Sequence, residues 1–442
     1  MNGPGDIGQA DIGLGWASIV RLGLVQSALG AIVMLTTSTL NRVMVVEYGL
    51  AATVPAGLVA WHYAVQMSRA RWGHGSDGGA ARTPWIVGGM VLLALGAVLA
   101  AYATTRMTGG GIAIAIAAFT LIGVGVGASG TSLLALLATS VAPARRPAAA
   151  AITWIMMIVG IIVTAAIAGK LLDPFSPARL LAVASGVAGA ALVVALLGVV
   201  GVERNAPKMP TSDTPRVDFA VALREIWADQ RARRFTIFVF VSMLAYSAQD
   251  LILEPFAGLL FGFTPGESTS LSSVQHGGVL LGMILVGIGG NAFTGRAGWM
   301  RSWTIAGCVG SAAALIGLAC AAVMAPAWPL RPTVFVLGFA NGIFAVAAIG
   351  SMMGLAGNGG PGREGVRMGV WGAAQAIAFG LGGFVGAAGV DVGRRLMGST
   401  PSAYLVVFAV EGTLFLVAAM LAARIDAPVL AADFSVPALA KG

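Results

Sequence analysis

Apolar residues along this chain come in runs of about twenty, each closed by a short polar break, and the runs show neither strand alternation nor a one-sided helical stripe. A hydrocarbon slab about 30 Å thick takes roughly 20 residues of α-helix, so each run predicts one crossing of a bilayer. Helices are expected over residues 20–41, 50–68, 85–104, 111–141, 148–169 and 179–201. The fourth is long enough to predict an interfacial turn within it. After a polar segment from Val202 to Arg234, six more are expected over 235–261, 271–291, 302–325, 332–356, 366–390 and 402–423. The predicted organisation is a tail (1–19), a six-helix half (20–201), a central loop (202–234), a second six-helix half (235–423) and a C-terminal tail (424–442).

Composition agrees with this reading. The chain is 57% hydrophobic and 10% charged, against about a quarter charged in soluble domains. Its 63 glycines are too many for water-soluble helices but suit a membrane bundle, where small residues let backbones approach. Gly123, Gly125, Gly127, Gly382, Gly383 and Gly386 read as packing faces. Cys308 and Cys320 lie in one apolar run and imply neither a disulfide framework nor a metal set. Residues 1–15 lack the basic start of a signal peptide, so the first helix is expected to stay in place.

Charge sets the expected orientation. With the N-terminus inside, the side away from the cytoplasm receives Arg42, Arg106, Lys170, Arg179, Arg331, Arg394 and Arg395, and the other 19 of the 26 basic residues face the cytoplasm. Both termini are therefore expected to be cytoplasmic, and the formal charge of +8 needs no nucleic-acid partner. In the central loop, Phe219, Leu223, Ile226 and Trp227 recur at helical spacing among charges, which predicts an amphipathic helix at the membrane surface from Phe219 to Arg234.

Two equal six-helix halves around a long central loop resemble the major facilitator pattern of parallel repeats. The loop Trp72-Gly73-His74-Gly75-Ser76-Asp77-Gly78-Gly79-Ala80-Ala81-Arg82 resembles that superfamily's loop signature through Gly73, Asp77 and Arg82, with Gly78 where a basic residue usually stands. Its expected role is conformational. The corresponding loop of the second half, Gly289 to Arg301, lacks the aspartate.

More specific strings resemble the PucC/LhaA family, the bacteriochlorophyll-delivery branch of the superfamily. They are Thr39-Leu40-Asn41-Arg42-Val43-Met44 with Glu47, Arg71 to Asp77 leading to Arg82-Thr83-Pro84-Trp85, and Leu171-Leu172-Asp173-Pro174-Phe175-Ser176-Pro177. The second half adds Arg233 to Phe240, Ala245 to Gly258, and Trp371-Gly372-Ala373-Ala374-Gln375-Ala376-Ile377. The resemblance implies a helper in assembling purple-bacterial antenna complexes, in the bacterial inner (intracytoplasmic) membrane. It would handle bacteriochlorophyll, antenna polypeptides, or both, with the reaction centre or bacteriochlorophyll synthase as further partners. The His74 loop and Trp85 look closer to the light-harvesting-1 type than to the light-harvesting-2 type.

A charge near the bilayer centre costs about 2.5–3.5 kcal/mol on insertion scales, so each one calls for a partner or a function. Arg42 and Glu47 lie near the end of the first helix, and Gln249, Asp250 and Glu254 in the seventh, its counterpart. Asp250 and Glu254 are four apart and share a helical face, Pro255 beside them is expected to bend the helix, and this carboxylate face is a candidate partner for Arg42. The cluster reads either as a cargo or switching site or as an ion pair locking helices. Glu411 stands alone in the twelfth helix, which is expected to face outward. Bacteriochlorophyll's magnesium accepts an axial nitrogen or oxygen, so His62, among Trp61, Tyr63 and Gln66, His276 and Gln375 are candidate ligands, each weighed against an ordinary local hydrogen bond.

A proton-coupled exporter of small amphipathic molecules is the alternative, disfavoured because 148–169 holds no Gly-Pro pair and the first helix no acidic residue before Glu47. No His-Glu-x-x-His, Cys-His pair or convergent carboxylate set is present, so neither an enzyme nor a metal site of its own is expected.

Overall fold

A computed structural model describes residues 13–66, 81–106, 110–142, 145–204, 224, 227–292, 299–357 and 364–424. The described residues are helical and fall into twelve helices. α1 runs Trp16–Glu47, α2 Thr53–Gln66, α3 Thr83–Thr104, α4 Gly111–Ser140, α5 Arg146–Leu171 and α6 Pro177–Val199. α7 is Gln230–Ala248, a 3-10 turn Gln249–Leu251, and Leu253–Phe261. α8 is Pro265–Ala292, α9 Trp299–Met324, α10 Leu330–Gly357, α11 Glu364–Met397 and α12 Thr400–Ala423. Eleven are long and apolar enough to cross a membrane, and α2, with 14 described residues, is the twelfth.

The chain divides into two compact units: 1–50, 57–213 and 263–273 form unit 1, and 51–56, 214–262 and 274–442 form unit 2. In unit 1 the main pairings are α1 with α5 and α6, and α3 with α4 and α6. In unit 2 they are α7 with α11 and α12, and α9 with α10 and α12, the same set six helices later. This is a structural repeat, visible in packing alone.

Each unit also holds a short piece from the other side of the central loop, and in both a carboxylate explains why. In unit 2, Asp391 of α11 accepts hydrogen bonds from Ala52 N (3.1 Å) and Thr53 N (2.8 Å), capping the start of α2. In unit 1, Asp173 accepts from the Thr264 hydroxyl (2.8 Å) and Gly266 N (3.3 Å) at the start of α8. That start is a capping box: Thr264 N donates to Glu267, Glu267 N donates to Thr264 Oγ1, and Pro265 fills the first helical position. The box is legible as Thr264-Pro265-Gly266-Glu267 and carries α8 back to Pro265, six residues before the expected start.

Packing inside each unit relies on small residues, because in lipid close contact, not exclusion of water, holds helices together. A Cβ at Gly282 of α8 would lie 2.2 Å from the Phe339 carbonyl oxygen of α10, and one at Gly342 of α10 would lie 2.1 Å from that of Val279. Five of the six glycines expected to form packing faces do so: Gly123 abuts the His62 backbone, Gly125 abuts Gly89, Gly382 and Gly386 abut Leu244 and Ala248 of α7, and Gly383 abuts the Leu251 side chain. Side chains add Trp371 Nε1 to Thr236 (3.0 Å), Ser247 to the Ala378 carbonyl (3.1 Å) and Ser311 to Asn341 (2.8 Å). Large apolar residues such as Leu95, Ile116, Val163, Leu197, Ile316 and Val410 stay exposed along the helices. That surface suits lipid, not water.

Two expectations change. α4 is one unbroken helix of 30 residues with no interfacial turn, and near its C-terminal end Arg82 donates to the Ala135 carbonyl and the Thr139 hydroxyl. α12 does not turn Glu411 outward: the side chain is 2% exposed, because Phe408, Glu411 and Phe415 share the packed face. The Gly73 and Asp77 end of the loop signature lies outside the described residues, as does most of the predicted amphipathic helix before Trp227.

Candidate functional site

The polar residues singled out in the sequence form two sites, one in each unit. In unit 1, α1 changes winding twice, with π-helical stretches at Leu35–Thr39 and Val43–Glu47 on either side of Leu40–Arg42. On a regular α-helix, residues five apart point about 140° away from each other. In a π-turn the repeat is i to i+5, which brings Glu47 over Arg42, and the two form an ion pair. Arg42 also donates to the Phe263 carbonyl at 2.6 Å. Arg42 is 1% exposed while the Glu47 side chain is 30% exposed, so the pair runs from the buried interior toward the helix end. The carboxylate paired with Arg42 is thus Glu47 of its own helix.

Neighbouring polar contacts tie this part of α1 to α8: Thr39 meets Thr269 at 3.2 Å, and Ser38 meets Ser272 at 3.4 Å. Both lie about one turn before Arg42 on α1, and the helix is followed by Gly49, whose φ of +65° a side chain would strain.

In unit 2, α7 breaks at Gln249–Leu251. Pro255 explains the place: it has no N–H to give to the carbonyl four residues back, that of Leu251, so the α-ladder is lost just there. Gln249, Asp250 and Glu254 cluster on and after the break. Gln249 is fully buried and neither of its amide atoms has a hydrogen-bond partner; Glu254 is 2% exposed; Asp250 is half-buried and hydrogen-bonded to Gln275 of α8. Glu411 of α12 is buried as well, and among the described residues both of its carboxylate oxygens lack hydrogen-bond partners. Sequence reasoning missed this, since a lone acidic residue in an apolar helix gives no sign of which helix it faces.

His62 is 1% exposed, its Nε2 is hydrogen-bonded to Gln66 one turn on, and its ring meets Tyr63 edge-on at a centroid distance of 4.7 Å. Nε2 thus makes the local hydrogen bond weighed above against ligation. His276 of α8 and Gln375 of α11 are half-buried. Among the described residues no group of three or more His, Cys, Asp or Glu is placed to hold a metal ion.

Arg82, the described residue of the loop signature, joins two helix ends. Its guanidinium donates to the Ala135 carbonyl and the Thr139 hydroxyl near the end of α4. Glu203, just after α6, accepts from Arg82 N (2.6 Å), Thr83 N (2.7 Å) and the Thr83 hydroxyl (2.6 Å) at the start of α3. Burial by itself would raise the Glu203 carboxyl, but these hydrogen bonds and the Arg82 charge outweigh it and hold the group below its ordinary value. A carboxylate at a helix N-terminus and a guanidinium at a C-terminus both complement the helix dipole.

A repeated six-helix arrangement with broken first helices and buried charge in each unit defines a polytopic membrane protein of the major facilitator fold. Solved structures of that fold align along nearly the whole chain. The nucleoside transporter NupG aligns over 92% of this chain and 99% of its own (TM-score 0.69, 13% identity), and the peptide transporter POT over 94% and 96% (TM-score 0.69, 13% identity). Residues 39–429 match the family described as PUCC protein, and the chain belongs to that family. It is similar to the "Bacteriochlorophyll synthase 44.5 kDa chain" of Rhodobacter capsulatus, at 52% identity over 94% of this chain and 96% of that one. It is also similar to "Protein PucC" of Cereibacter sphaeroides, at 29% identity over 90% of each.

Proposed function

We propose that this protein is an assembly factor for purple-bacterial light-harvesting complexes, acting by binding and not by catalysing a reaction. On this reading it serves the light-harvesting-1 type, sits in the inner (intracytoplasmic) membrane with both termini cytoplasmic, and handles antenna polypeptides together with the bacteriochlorophyll they carry. Membership of the PUCC family and relatives named for PucC and for bacteriochlorophyll synthase support the pathway. The likeness to transporters, at 12–15% identity, speaks for the fold alone and gives no weight to the exporter alternative.

One observation supports binding of a membrane helix. Ala182, Ser185, Gly186, Gly189 and Ala190 of α6 are all exposed, and a Cβ at Gly186 or Gly189 would meet nothing within 4 Å. Gly198 of the same helix, by contrast, is filled by the Arg21 carbonyl of α1, where a Cβ would lie 2.6 Å away. A small-residue face at i, i+3 and i+4 spacing lets a second helix approach closely, which in lipid is the chief source of association energy. An antenna polypeptide, built on one membrane helix, suits such a face.

The test is the double variant Gly186→Ile with Gly189→Ile in a phototrophic host lacking the native gene. Antenna absorption in the near infrared is expected to fall severalfold while the variant accumulates normally in the membrane. Antenna levels equal to those of the unmodified protein would remove α6 as the docking face. Normal antenna in the strain without the gene would remove the assembly role altogether.

A further inference from the structure

α8 is shared between the two units: its residues through Ser273 belong to unit 1, and those from Val274 on belong to unit 2. Different chemistry ties each part. Toward unit 1, the Phe263 carbonyl just before the helix accepts from Arg42 (2.6 Å), and the Thr264 hydroxyl and Gly266 N donate to Asp173. Thr269 then meets Thr39 at 3.2 Å and Ser272 meets Ser38 at 3.4 Å, while a side chain at Gly266 would collide with the Gly169 carbonyl of α5. Toward unit 2, Gln275 is hydrogen-bonded to Asp250 of α7. Side chains at Gly278 and Gly282 of α8 would collide with the Phe335 and Phe339 carbonyls of α10, and side chains at Gly338 and Gly342 of α10 with the Gln275 and Val279 carbonyls of α8. Hydroxyls and charge thus hold the helix as far as Ser272, and backbone fitted against glycine holds it from Gln275 on.

The turn where the two sets of ties meet is poorly built to stay straight. Ser272 and Ser273 open it, and Gly277 and Gly278 close it. Serine hydroxyls compete for helix carbonyls, glycine is the weakest helix former apart from proline, and bends in long helices gather at such residues. Packing calls for glycine at 278 but not at 277, where a Cβ would meet nothing within 4 Å. The α-ladder bond from Gly277 N–H to the Ser273 carbonyl crosses the junction, so the residue with least hold on the helix stands where the two units join. α2, six helices earlier, is divided in the same way. Residues 51–56 belong to unit 2, where Ala52 N and Thr53 N donate to Asp391, and residues from Gly57 on belong to unit 1, where the His62 backbone packs on Gly123 of α4. Both helices related by the repeat therefore pass from one unit to the other beside a glycine.

We propose that α8 is a bending strap: residues 265–272 move as part of unit 1, residues 278–292 as part of unit 2, and the turn 273–277 flexes between them. α2 flexes at Gly57 in the same role. The bodies that move are then not the two sets of six helices that the chain order gives. The start of α8 travels with the first set and the start of α2 with the second. On this proposal the hydroxyl contacts between α1 and α8 are a permanent joint and not a closure that opens. The strap does not depend on what the protein binds and stands apart from the antenna reading.

The experiment uses the full-length protein in mild detergent, with Cys308 and Cys320 replaced by alanine. Thr39→Cys with Thr269→Cys is oxidised to a disulfide across the joint, and amide hydrogen exchange is followed by mass spectrometry before and after reduction. Exchange is expected to be slow over 266–272 and 279–286 and faster over 274–277, because local opening of the helix is confined to the turn. Closing the disulfide is expected to leave exchange over 36–42 and 266–272 as it was. Gly277→Ala is expected to slow exchange over 274–277 about fivefold, the advantage of alanine over glycine in a helix. Severalfold slower exchange over 36–42 and 266–272 once the disulfide closes would mean that the joint opens in the unmodified protein, and would overturn the strap. Exchange over 274–277 as slow as in the flanking segments, and unmoved by Gly277→Ala, would overturn it as well. Should the double-cysteine variant fail to accumulate, Ser38→Cys with Ser272→Cys carries the same test.

Discussion

α1 and α7 open the two sets of six helices, each departs from α-winding where it carries charge, and each ends at a glycine in the left-handed region, Gly49 with φ +65° and Gly262 with φ +69°. They resolve their charges differently. α1 unwinds into wider π-turns and closes its arginine on a glutamate of the same helix, so the charge is neutralised locally, and the Phe263 carbonyl accepts from a second guanidinium nitrogen. α7 tightens into a 3-10 turn at the place Pro255 dictates and sets Asp250 there, hydrogen-bonded to Gln275 of α8. One helix holds an ion pair within itself, and the other bonds its carboxylate to a neighbouring helix. The difference teaches that pseudo-equivalent helices can share winding defects for unrelated reasons, ion pairing in one and a missing N–H in the other.

Removing Glu47 breaks the comparison most forcefully. Glu47→Ala leaves Arg42 buried with a carbonyl partner only, and truncating one member of a buried pair costs about 3 kcal/mol or more. Thermal or denaturant unfolding in detergent is expected to show that loss, and adding Arg42→Leu is expected to restore most of it. Full stability of Glu47→Ala alone would mean that α1 is not held by the pair.

A smaller effect is expected in α7. Pro255→Ala returns an N–H to the Leu251 carbonyl, so α-winding should extend through 249–252 with a change of about 1 kcal/mol or less in stability. Hydrogen exchange is the measurement: slower exchange of the amides from 252 to 256 is expected. Unchanged exchange there would locate the cause of the break in the polar cluster instead.

The smallest effect sharpens the comparison with a carboxylate that is satisfied outside the bilayer. Glu203 caps α3 with three hydrogen bonds, so Glu203→Gln is expected to cost about 1 kcal/mol, the usual worth of a cap. Its folded-state carboxyl is held below the ordinary value, so its contribution is complete above that value and is lost as pH falls through the lower, folded one. The unmodified protein should therefore lose stability on acidification in a step that the variant lacks, read as melting temperature against pH. Parallel curves for the two proteins would remove that contribution.

How much of this was legible beforehand varied with the range of the interaction. The twelve apolar runs could be read because helix length against bilayer thickness is a local property, and Pro255 marked the break in α7 because its missing N–H acts four residues away. Arg42 and Glu47 were visible as charges, but their pairing was not, since a five-residue spacing faces apart on an α-helix and together only in a π-turn. That His62 bonds Gln66, one turn on, through Nε2 likewise depended on side-chain orientation. The Thr264 capping box was readable and passed unnoticed, because Pro265 and Gly266 within it look like a loop.

By itself, then, the chain determined where its helices run, where proline and glycine interrupt them, and that lipid is their solvent, all of which follow from the free energy of short segments. Only the tertiary structure decided that Glu411 is buried on the packed face, that Asp391 caps α2, that Asp173 caps α8, and that Gly186 and Gly189 of α6 stay open while Gly282 of α8 and Gly342 of α10 are filled. The physical reason is rotation about the helix axis. A nearly uniform apolar helix has no polar face to fix its rotation, so its neighbours, through steric fit and a few hydrogen bonds, choose which residues meet.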